Sequence, residues 1–496
     1  MRVERDIQRQ VVNERFTEVV TGTLEAPGRQ LRARLNASLA TGRAVVADIS
    51  PAAWFGALVA LAAALTAYIF FRNGPAPYLP YHDSWEYIQR ADTILAGGPW
   101  ADAIRMPGYP IVLAVVFALT GVNNLVAAQA VQYALFVITA LGVYALAWRL
   151  FHHLRLATLV GLLFGTNLYL LSFFRPILSD GLGAALIVAL ALAITYFVER
   201  PTSTRFWIIA ALCLLVLMTR GEWAMAPLIL FPYLLFVAHR KGMTCELLAP
   251  MGLALLITYG VVGGYMAMNA HYNGYFGLTD STNINLYGKI TEYNMQGEAP
   301  AGYPTMTGAT EAFVGQNILD PWHIYNMKPT LAGHGYKNMG AYAQAIILRH
   351  PLEFLWRTVP VAFRSLYNYY LFGGYNPAGH LGRVIKGLEA FSVGAYPLFM
   401  LFPLCGLFWL AVVALSRINR ERFQGWKMEQ PEALGALSLL ALYALAITSL
   451  TSYGEYGRLH LAFDPLMLVV VIYSLAAFFG ILSPRVSPAS GSDTRR

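Results

Sequence analysis

A short polar segment around residue 83 carries the residue types that acid–base chemistry requires. Asp83 and Ser84 follow Tyr81 and His82 and precede Tyr87. A carboxylate flanked by aromatic side chains is partly removed from water, which can tune its pKa for work as a general base. Asp and Ser are also preferred N-cap residues, and the apolar spacing that follows predicts a helix. The segment therefore predicts a base, a helix start, or both at Asp83.

Arg105 stands directly before the sequence Met-Pro-Gly-Tyr-Pro. The prolines and the glycine predict a rigid turn that fixes the start of the next helix. A guanidinium group held by such a turn can bind two phosphate oxygens at once, with Tyr109 beside it. The alternative is an arginine that only extends from apolar surroundings into water.

Two further segments place an arginine close to an acid at the start of an apolar run. Arg175 precedes Asp180, and Arg220 stands two residues before Glu222. Each pair alone is explained by helix capping and by the cost of a charge in hydrocarbon. Their shared position, where the positive end of a helix dipole favours an anion, predicts an anion-binding site.

The C-terminal segment contributes a fourth candidate anion ligand, Arg458, followed by His460 and Asp464. Asp464 falls within the last apolar run, where an ionisable residue is a functional hypothesis by default. The pair Asp464-Pro465 also fits a simple helix cap and kink.

The sequence carries none of the short motifs of nucleotide or metal chemistry. It contains no Walker A sequence, no HExxH and no cysteine pair at zinc-binding spacing. The three cysteines lie within or beside apolar runs, which predicts no disulfide. No cofactor is predicted, and a divalent cation at Asp83 is left open.

The composition places these residues in a membrane. Of 496 residues, 57% are hydrophobic and 12% are charged, about half the charged fraction of a soluble domain. The mean hydropathy is +0.50. A soluble enzyme is excluded. The net charge of +8 bears on membrane orientation rather than on nucleic acid, which is not an expected partner.

We expect an all-α polytopic membrane protein with about ten transmembrane helices, since about 20 apolar residues cross the hydrocarbon core. The runs cover 52–71, 126–148, 156–173, 177–198, 246–268, 389–415, 432–452 and 461–482. The run 206–238 is broken near Arg220 and predicts a hairpin of two spans. The run 107–120 is too short to cross and predicts a juxtamembrane helix in the first outer loop.

Lysines and arginines of short loops favour the cytoplasm, and this rule orients the spans. If 107–120 does not cross, the basic loops near residues 150, 200, 240 and 420 are cytoplasmic, as are both termini. We therefore expect a protein of the plasma (inner) membrane. A cytoplasmic segment, 1–50, is followed by a transmembrane catalytic module, 51–268, which contains the outer loop 72–125. An extracytoplasmic region, 269–388, contains interfacial helices, one of them at 350–375, and is followed by the C-terminal spans, 389–482, and a cytoplasmic tail, 483–496.

The candidate residues then share the extracytoplasmic side, where nucleotide sugars are not available. An activated sugar would have to arrive on a lipid carrier whose phosphate lies at the membrane surface. Its transfer needs a base for the acceptor hydroxyl group, cations for the departing phosphate and an apolar groove for the polyprenyl tail. The outer segments offer the base and the cations.

The same segments resemble the GT-C superfamily of membrane glycosyltransferases, which includes protein O-mannosyltransferases and the lipid A aminoarabinose transferase. The resemblance lies in Asp83-Ser84 with Tyr87, Ala91, Leu95 and Gly97, in Arg105-x-Pro107-Gly108-Tyr109-Pro110, and in the individually weaker Ser179-Asp180, Thr219-Arg220-x-Glu222, His350-Pro351 and Arg458. It implies inverting transfer of a sugar from a polyprenyl-phosphate donor to a glycan, lipid or protein acceptor.

The resemblance also implies roles for single residues. Asp83 would be the catalytic base and Asp180 a second acidic residue, while Arg105 with Arg220 or Arg458 would bind the phosphate. Many GT-C enzymes carry two adjacent acids in the first loop. This chain has Asp83-Ser84 there, which weakens the case for a metal held between neighbouring carboxylates.

A protein with many transmembrane spans could also have either of two other functions. A transporter or flippase of a lipid-linked substrate would tend to show repeated halves and polar groups near the bilayer midplane. The charges here gather instead at one face. A non-catalytic envelope scaffold would tolerate the loss of Asp83, whereas a transferase would not.

Overall fold

A computed structural model describes residues 50–73, 82–367, 379–415, 430–454, 458 and 460–482. The chain divides into two compact units, residues 1–57 and 58–496. The described residues of the first unit begin a helix, where the hydroxyl group of Ser50 accepts a hydrogen bond from the N–H of Ala53. Across the described ranges the regular secondary structure is helical, which confirms the predicted all-α polytopic fold.

The helices are numbered here in chain order. The first ten are α1 Pro51–Asn73, α2 His82–Leu95, α3 Gly108–Thr120, α4 Leu125–Phe151, α5 Leu154–Gly165, α6 Leu168–Phe174, α7 Ser179–Glu199, α8 Ser203–Thr219, α9 Ala226–Arg240 and α10 Thr244–Asn273. The rest are α11 Ser281–Glu292, α12 Pro304–Gly315, α13 Pro321–Met327, α14 Lys337–Arg349, α15 Pro351–Ser365, α16 Gly379–Ala395, α17 Phe402–Leu415, α18 Pro431–Thr451 and α19 Asp464–Phe478.

Within the described ranges, seven helical stretches are long and apolar enough to cross a membrane. They are Pro51–Phe70, Leu125–Phe151, Ser179–Glu199, Gly221–Arg240, Thr244–Asn273, Gly382–Leu415 and Pro431–Thr451. An eighth results if α5 and α6, which meet at 55°, form one bent span. This count is below the expected ten because α8 and α19 have only 17 and 15 residues. At 1.5 Å per residue they reach about 26 and 22 Å, less than the hydrocarbon thickness of about 30 Å.

Two breaks in apolar runs have local causes. Asn167 separates α5 from α6, and its side-chain oxygen accepts hydrogen bonds from the N–H groups of Tyr169 and Leu170, so that a new helix begins there. The run 206–238 forms the expected hairpin: α8 ends at Thr219, a 3₁₀ turn covers Gly221–Met225, and α9 follows. The charged residues of the second break thus lie between helices rather than inside one.

Helices α7 and α18 are the most completely buried of the long apolar helices. Helix α7 packs against α4 and α8, and α18 packs against α17, α19 and α9. Glycine at position 183 of α7 permits a close approach, since a Cβ there would lie 2.6 Å from Cδ of Arg220. The N-terminal end of α7 therefore lies where a side chain from the α8–α9 break can reach it.

Helices α11 to α15, the α11–α15 region, have a core of their own. Ile284, Tyr287 and Ile290 of α11 pack with Tyr342 and Ile346 of α14 in one buried cluster. Helix α15 corresponds to the amphipathic helix expected at 350–375, of which residues 368–375 lie outside the described ranges. Leu352, Leu355, Trp356, Val359 and Phe363 are exposed on it.

Candidate active site

Helix α2 presents two acids, one turn apart, at the start of the site. Asp83 lies in its first turn, where a negative charge is favoured by the helix dipole. Glu86 follows at the i+3 position and faces the same way. Arg105 bridges them: its Nη2 atom lies 2.6 Å from Oδ1 of Asp83, and its Nε donates to Oε2 of Glu86 at 2.6 Å.

The loop that carries Arg105 is held from two sides. The carboxylate of Asp102 accepts hydrogen bonds from the N–H groups of Ile104 and Arg105 at 2.6 and 2.9 Å and also pairs with Arg90. From α10, the hydroxyl group of Tyr265 donates to the carbonyl oxygen of Asp102 at 3.0 Å. The guanidinium group of Arg105 therefore extends from a backbone that Asp102 and Tyr265 hold in place.

Asp180 links the two other arginines. In the first turn of α7 it is 3% exposed, and its Oδ1 accepts from Nη1 of Arg220 at 2.8 Å. Its Oδ2 lies 3.4 Å from Nε of Arg458, whose Nη1 donates to Asp83 at 3.0 Å. Arg220 also pairs with Glu222 at 2.5 Å.

These contacts form one ion-pair cluster. Its charges alternate along the series Glu86, Arg105, Asp83, Arg458, Asp180, Arg220 and Glu222. Four carboxylates and three guanidinium groups come from five segments of the chain. The alternation offsets the cost of removing so many charges from water, because each arginine has an acid on both sides.

Tyr87 joins the cluster to α7 and α3. Its hydroxyl group hydrogen-bonds with that of Ser179 at 2.9 Å, and its ring meets the ring of Tyr109 edge-on at 5.1 Å. The hydroxyl group of Tyr109 in turn accepts from Gln132 of α4. The guanidinium group of Arg105 lies 5.3 Å from the centre of the Tyr87 ring, so the ring that this network holds in place also packs against Arg105.

The electrostatics of Asp83 are set by two opposing effects. Burial by itself would raise the pKa of its carboxyl group, but the positive charges of Arg105 and Arg458 outweigh burial and hold that pKa below the ordinary 3.8. Burial also raises the pKa of the Tyr87 hydroxyl group. At neutral pH the site thus holds an ionised Asp83 and a neutral tyrosine.

The structure unites six of the predicted site residues: Asp83, Asp180, Arg105, Arg220, Glu222 and Arg458. Tyr87 and Tyr109 support them. The guanidinium group of Arg175, by contrast, lies 5.7 Å from the centre of the Phe70 ring. Tyr81 and the side chain of His82 lie outside the described residues.

Sequence reasoning did not select Glu86 or Asp102. Glu86 could have been found from its i+3 spacing to Asp83 on the predicted helix. Asp102 had no comparable signal, because its role depends on a turn geometry that many sequences adopt. His460 and Asp464, which follow Arg458 and lie one helical turn apart, are buried together, with Nδ1 of His460 2.5 Å from Oδ1 of Asp464.

The acids of the cluster do not form a ready metal site. The described residues contain no group of three or more His, Cys, Asp or Glu side chains that could hold a metal ion. Asp83 and Asp180 each engage two arginines, so a cation there would have to displace a guanidinium group. The three arginines suit an anion better.

No protein-family model matches the sequence. No curated protein matches it either. Among solved structures, the chain is similar to the oligosaccharyltransferase AglB of Archaeoglobus fulgidus in complex with an inhibitory peptide and a dolichol-phosphate, at 12% identity and a TM-score of 0.43. It is also similar to an Archaeoglobus fulgidus oligosaccharyltransferase in the apo form, at 14% identity and a TM-score of 0.45. Each match covers 86% of this chain and 51% of the other, so the chain spans about half the length of these proteins.

At these identities and TM-scores the likeness says nothing of what the chain does. The chain itself is an integral membrane protein of many helices, by the length and hydropathy of its apolar helices. Its described residues gather four acids and three arginines from distant segments into one cluster.

Proposed function

We propose that the chain is a membrane glycosyltransferase that transfers a sugar from a polyprenyl-phosphate donor to an acceptor hydroxyl group on the extracytoplasmic side, with inversion. The observation that carries the proposal is the alternation of three arginines with Asp83 and Asp180 in one cluster. Phosphate oxygens are strong bidentate partners of guanidinium groups, so a donor phosphate would compete with the carboxylates for these arginines.

The acids with which each arginine pairs divide the arginines into two roles. Arg105 and Arg458 both pair with Asp83, whereas Arg220 pairs with Asp180 and Glu222. Arg105 and Arg458, which share Asp83, are therefore the proposed phosphate ligands. Arg220 keeps Asp180 in place and adds positive charge behind the phosphate.

Donor binding would change Asp83 from an ion-pair partner into a base. While two guanidinium groups face it, its lowered pKa keeps it ionised but weakly basic. Once the phosphate shares those charges, burial acts on Asp83 with less opposition, and its basicity rises. The two arginines thus pair with Asp83 in the absence of the donor and with the phosphate in its presence.

The reaction is a single displacement. Asp83 takes the proton of the acceptor hydroxyl group as the acceptor oxygen attacks the anomeric carbon. The bond between that carbon and the phosphate oxygen breaks, and its electron pair leaves on the polyprenyl phosphate. Arg105 and Arg458 stabilise the charge that develops on this leaving group. One displacement inverts the anomeric configuration.

The test is Asp83→Asn, with transfer from a radiolabelled polyprenyl-phosphate sugar measured in membranes. We expect transfer to fall by at least about a hundredfold, in the range of general-base catalysis, while the protein inserts and melts as the wild type does. Asp92→Asn on the same helix is the matched control and should keep full activity. Full activity of Asp83→Asn would reject the base assignment.

The expected partners are membrane lipids, the lipid-linked donor and an acceptor that is a glycan, a lipid or a protein. The proposal places residues 269–388 and the first outer loop on the extracytoplasmic side of the plasma membrane. A flippase would move the donor across vesicle membranes without consuming it. Comparing donor consumption with donor translocation in the same vesicles separates the two functions.

A further inference from the structure

The α11–α15 region joins one aromatic residue to the loop that carries Arg105. Tyr336, the residue before α14, is 9% exposed. The rings of Trp322 and Tyr325 meet the Tyr336 ring edge-on, at centroid distances of 5.4 and 5.2 Å. Tyr336 therefore belongs to a group of three aromatic rings.

Asp280 fixes the position of Tyr336. Its Oδ2 accepts a hydrogen bond from the backbone N–H of Tyr336 at 2.8 Å, and its Oδ1 accepts from the side chain of Asn283 at 2.6 Å. The backbone N–H of Asp280 donates to the carbonyl oxygen of Ala103 at 2.5 Å. Asp280 thus joins Tyr336 to the first loop, two residues before Arg105.

Gly335 makes the contact between Asp280 and the backbone of Tyr336 possible. Its φ is +62°, and a Cβ at this position would lie 2.1 Å from Oδ2 of Asp280. A side chain there would be strained and would push the carboxylate away from Tyr336. The backbone conformation, the carboxylate and the missing side chain fit together, so the placement of Tyr336 is specified by several residues.

The chemistry of the donor explains why a tyrosine at this place matters. The sugar is bonded directly to the phosphate, so a phosphate on Arg105 brings the sugar ring within one glycosidic bond of it. Burial raises the pKa of Tyr336 to about 12, and its hydroxyl group remains a hydrogen-bond donor at neutral pH. Its ring offers an apolar surface to the C–H face of a sugar, as aromatic rings with a polar end commonly do at binding sites.

We infer that Tyr336, backed by Trp322 and Tyr325, contacts the sugar ring of the polyprenyl-phosphate donor, and that Asp280 is the positioning residue that holds it there. The inference rests on the proposed function and names the part of the site that recognises the sugar. Tyr336 is then a determinant of which sugar is transferred.

The experiment compares two probes on the full-length protein in lipid nanodiscs: polyprenyl phosphate without a sugar, and a panel of polyprenyl-phosphate hexoses. Tyr336→Phe should weaken binding of the preferred hexose donor about fivefold to tenfold, the value of one hydrogen bond. Binding of sugar-free polyprenyl phosphate should not change. Tyr272→Phe, at an exposed tyrosine near the end of α10, is the matched control and should leave both affinities as in the wild type.

The outcomes separate this inference from the proposed function. An equal loss for both probes, or no loss for either, in Tyr336→Phe overturns the sugar contact. Arg105→Ala tests the phosphate site separately and should weaken both probes. If Arg105→Ala leaves polyprenyl phosphate binding unchanged, the proposed function fails instead.

A second variant tests the positioning role without altering Tyr336. Gly335→Ala should reproduce the hexose-specific loss, because its Cβ displaces Asp280 and with it Tyr336. Gly308→Ala in α12, where a Cβ meets open space, should change neither affinity. A loss shared equally by both probes in Gly335→Ala would show a general structural defect and contradict the positioning role.

Discussion

The two aspartates of the cluster differ in how far water can reach them. The side chain of Asp83 is 20% exposed and that of Asp180 is 4% exposed. Asp180 lies between two arginines at the start of a buried helix, whereas Asp83 keeps an open side toward which a substrate can approach. We therefore assign Asp83 to chemistry and Asp180 to holding the arginines.

This difference in exposure predicts that the same substitution, Asp to Asn, affects stability differently at the two positions. Asp180→Asn leaves Arg220 and Arg458 without a full counter-charge in buried surroundings, and removing one partner of such a pair costs about 3–5 kcal/mol. We expect a clearly lowered melting temperature in detergent, with activity lost along with the fold. Asp83→Asn should melt near the wild type. Equal melting of the two variants would contradict the division of roles.

The pKa of Asp83 predicts the acid limb of the pH profile. Because the folded pKa lies below 3.8, Asp83 is ionised above about pH 4 and becomes protonated as the pH falls through the folded pKa. The acid limb of kcat/KM that belongs to Asp83 should therefore lie below pH 4. Arg458→Ala removes one of the two lowering charges and should move that limb to higher pH. A limb that stays in place would show that another group titrates.

Among the helices, α11 carries a charged residue, Lys289, in a buried position. Lys289 is completely buried, 3.6 Å from Glu292, which also lies 3.8 Å from Arg364 of α15. Burial is the main effect, and it lowers the pKa of Lys289 from 10.5 to about 8 despite the nearby acid. The folded state therefore disfavours the charged form of Lys289.

Replacing Lys289 by Met should therefore stabilise the protein. Between pH 8 and 10.5 the unfolded chain binds more protons at Lys289 than the folded one, so the free energy of unfolding of the wild type rises with pH in that window. At pH 7 the shift corresponds to about 3 kcal/mol, which Lys289→Met would recover. Melting curves at pH 7 and 10 measure it, with the exposed Lys328→Met as control. A less stable Lys289→Met at pH 7 would show that the pair with Glu292 outweighs burial.

At the scale of the whole molecule, the cluster depends on which ends of the helices lie together. Asp83 and Arg458 are 375 positions apart and meet only because α2 and the segment before α19 are on the same side of the spans. The distribution of basic loops predicts that this side is extracytoplasmic.

Cysteine labelling tests this orientation. In a variant without the native cysteines, Gln316→Cys should react with an impermeant thiol reagent in intact cells, because Gln316 is exposed in the α11–α15 region. Arg200→Cys, exposed between α7 and α8, should react only after the cells are opened. The reverse pattern would place the candidate site in the cytoplasm and would remove the reason for a lipid-linked donor.

The sequence by itself determined the helices and the types of residue in the site. An apolar run of about 20 residues must satisfy its backbone hydrogen bonds internally within a membrane, so it forms a helix whatever its neighbours are. The break at Arg220 and the rigid turn after Arg105 were readable for the same local reason, whereas the break at Asn167 within the run 156–173 was not expected. Charged residues at helix starts stood out because hydrocarbon does not tolerate them without a partner.

Only the tertiary structure decided which of these residues meet. The sequence could not show that Arg458 bridges Asp83 and Asp180, that Arg175 faces Phe70, or that Asp280 joins Tyr336 to the first loop. It also did not show that α8 and α19, at 17 and 15 residues, are shorter than the other apolar helices. Secondary structure follows from interactions a few residues apart, whereas these pairings depend on how whole helices pack, and no local pattern encodes that.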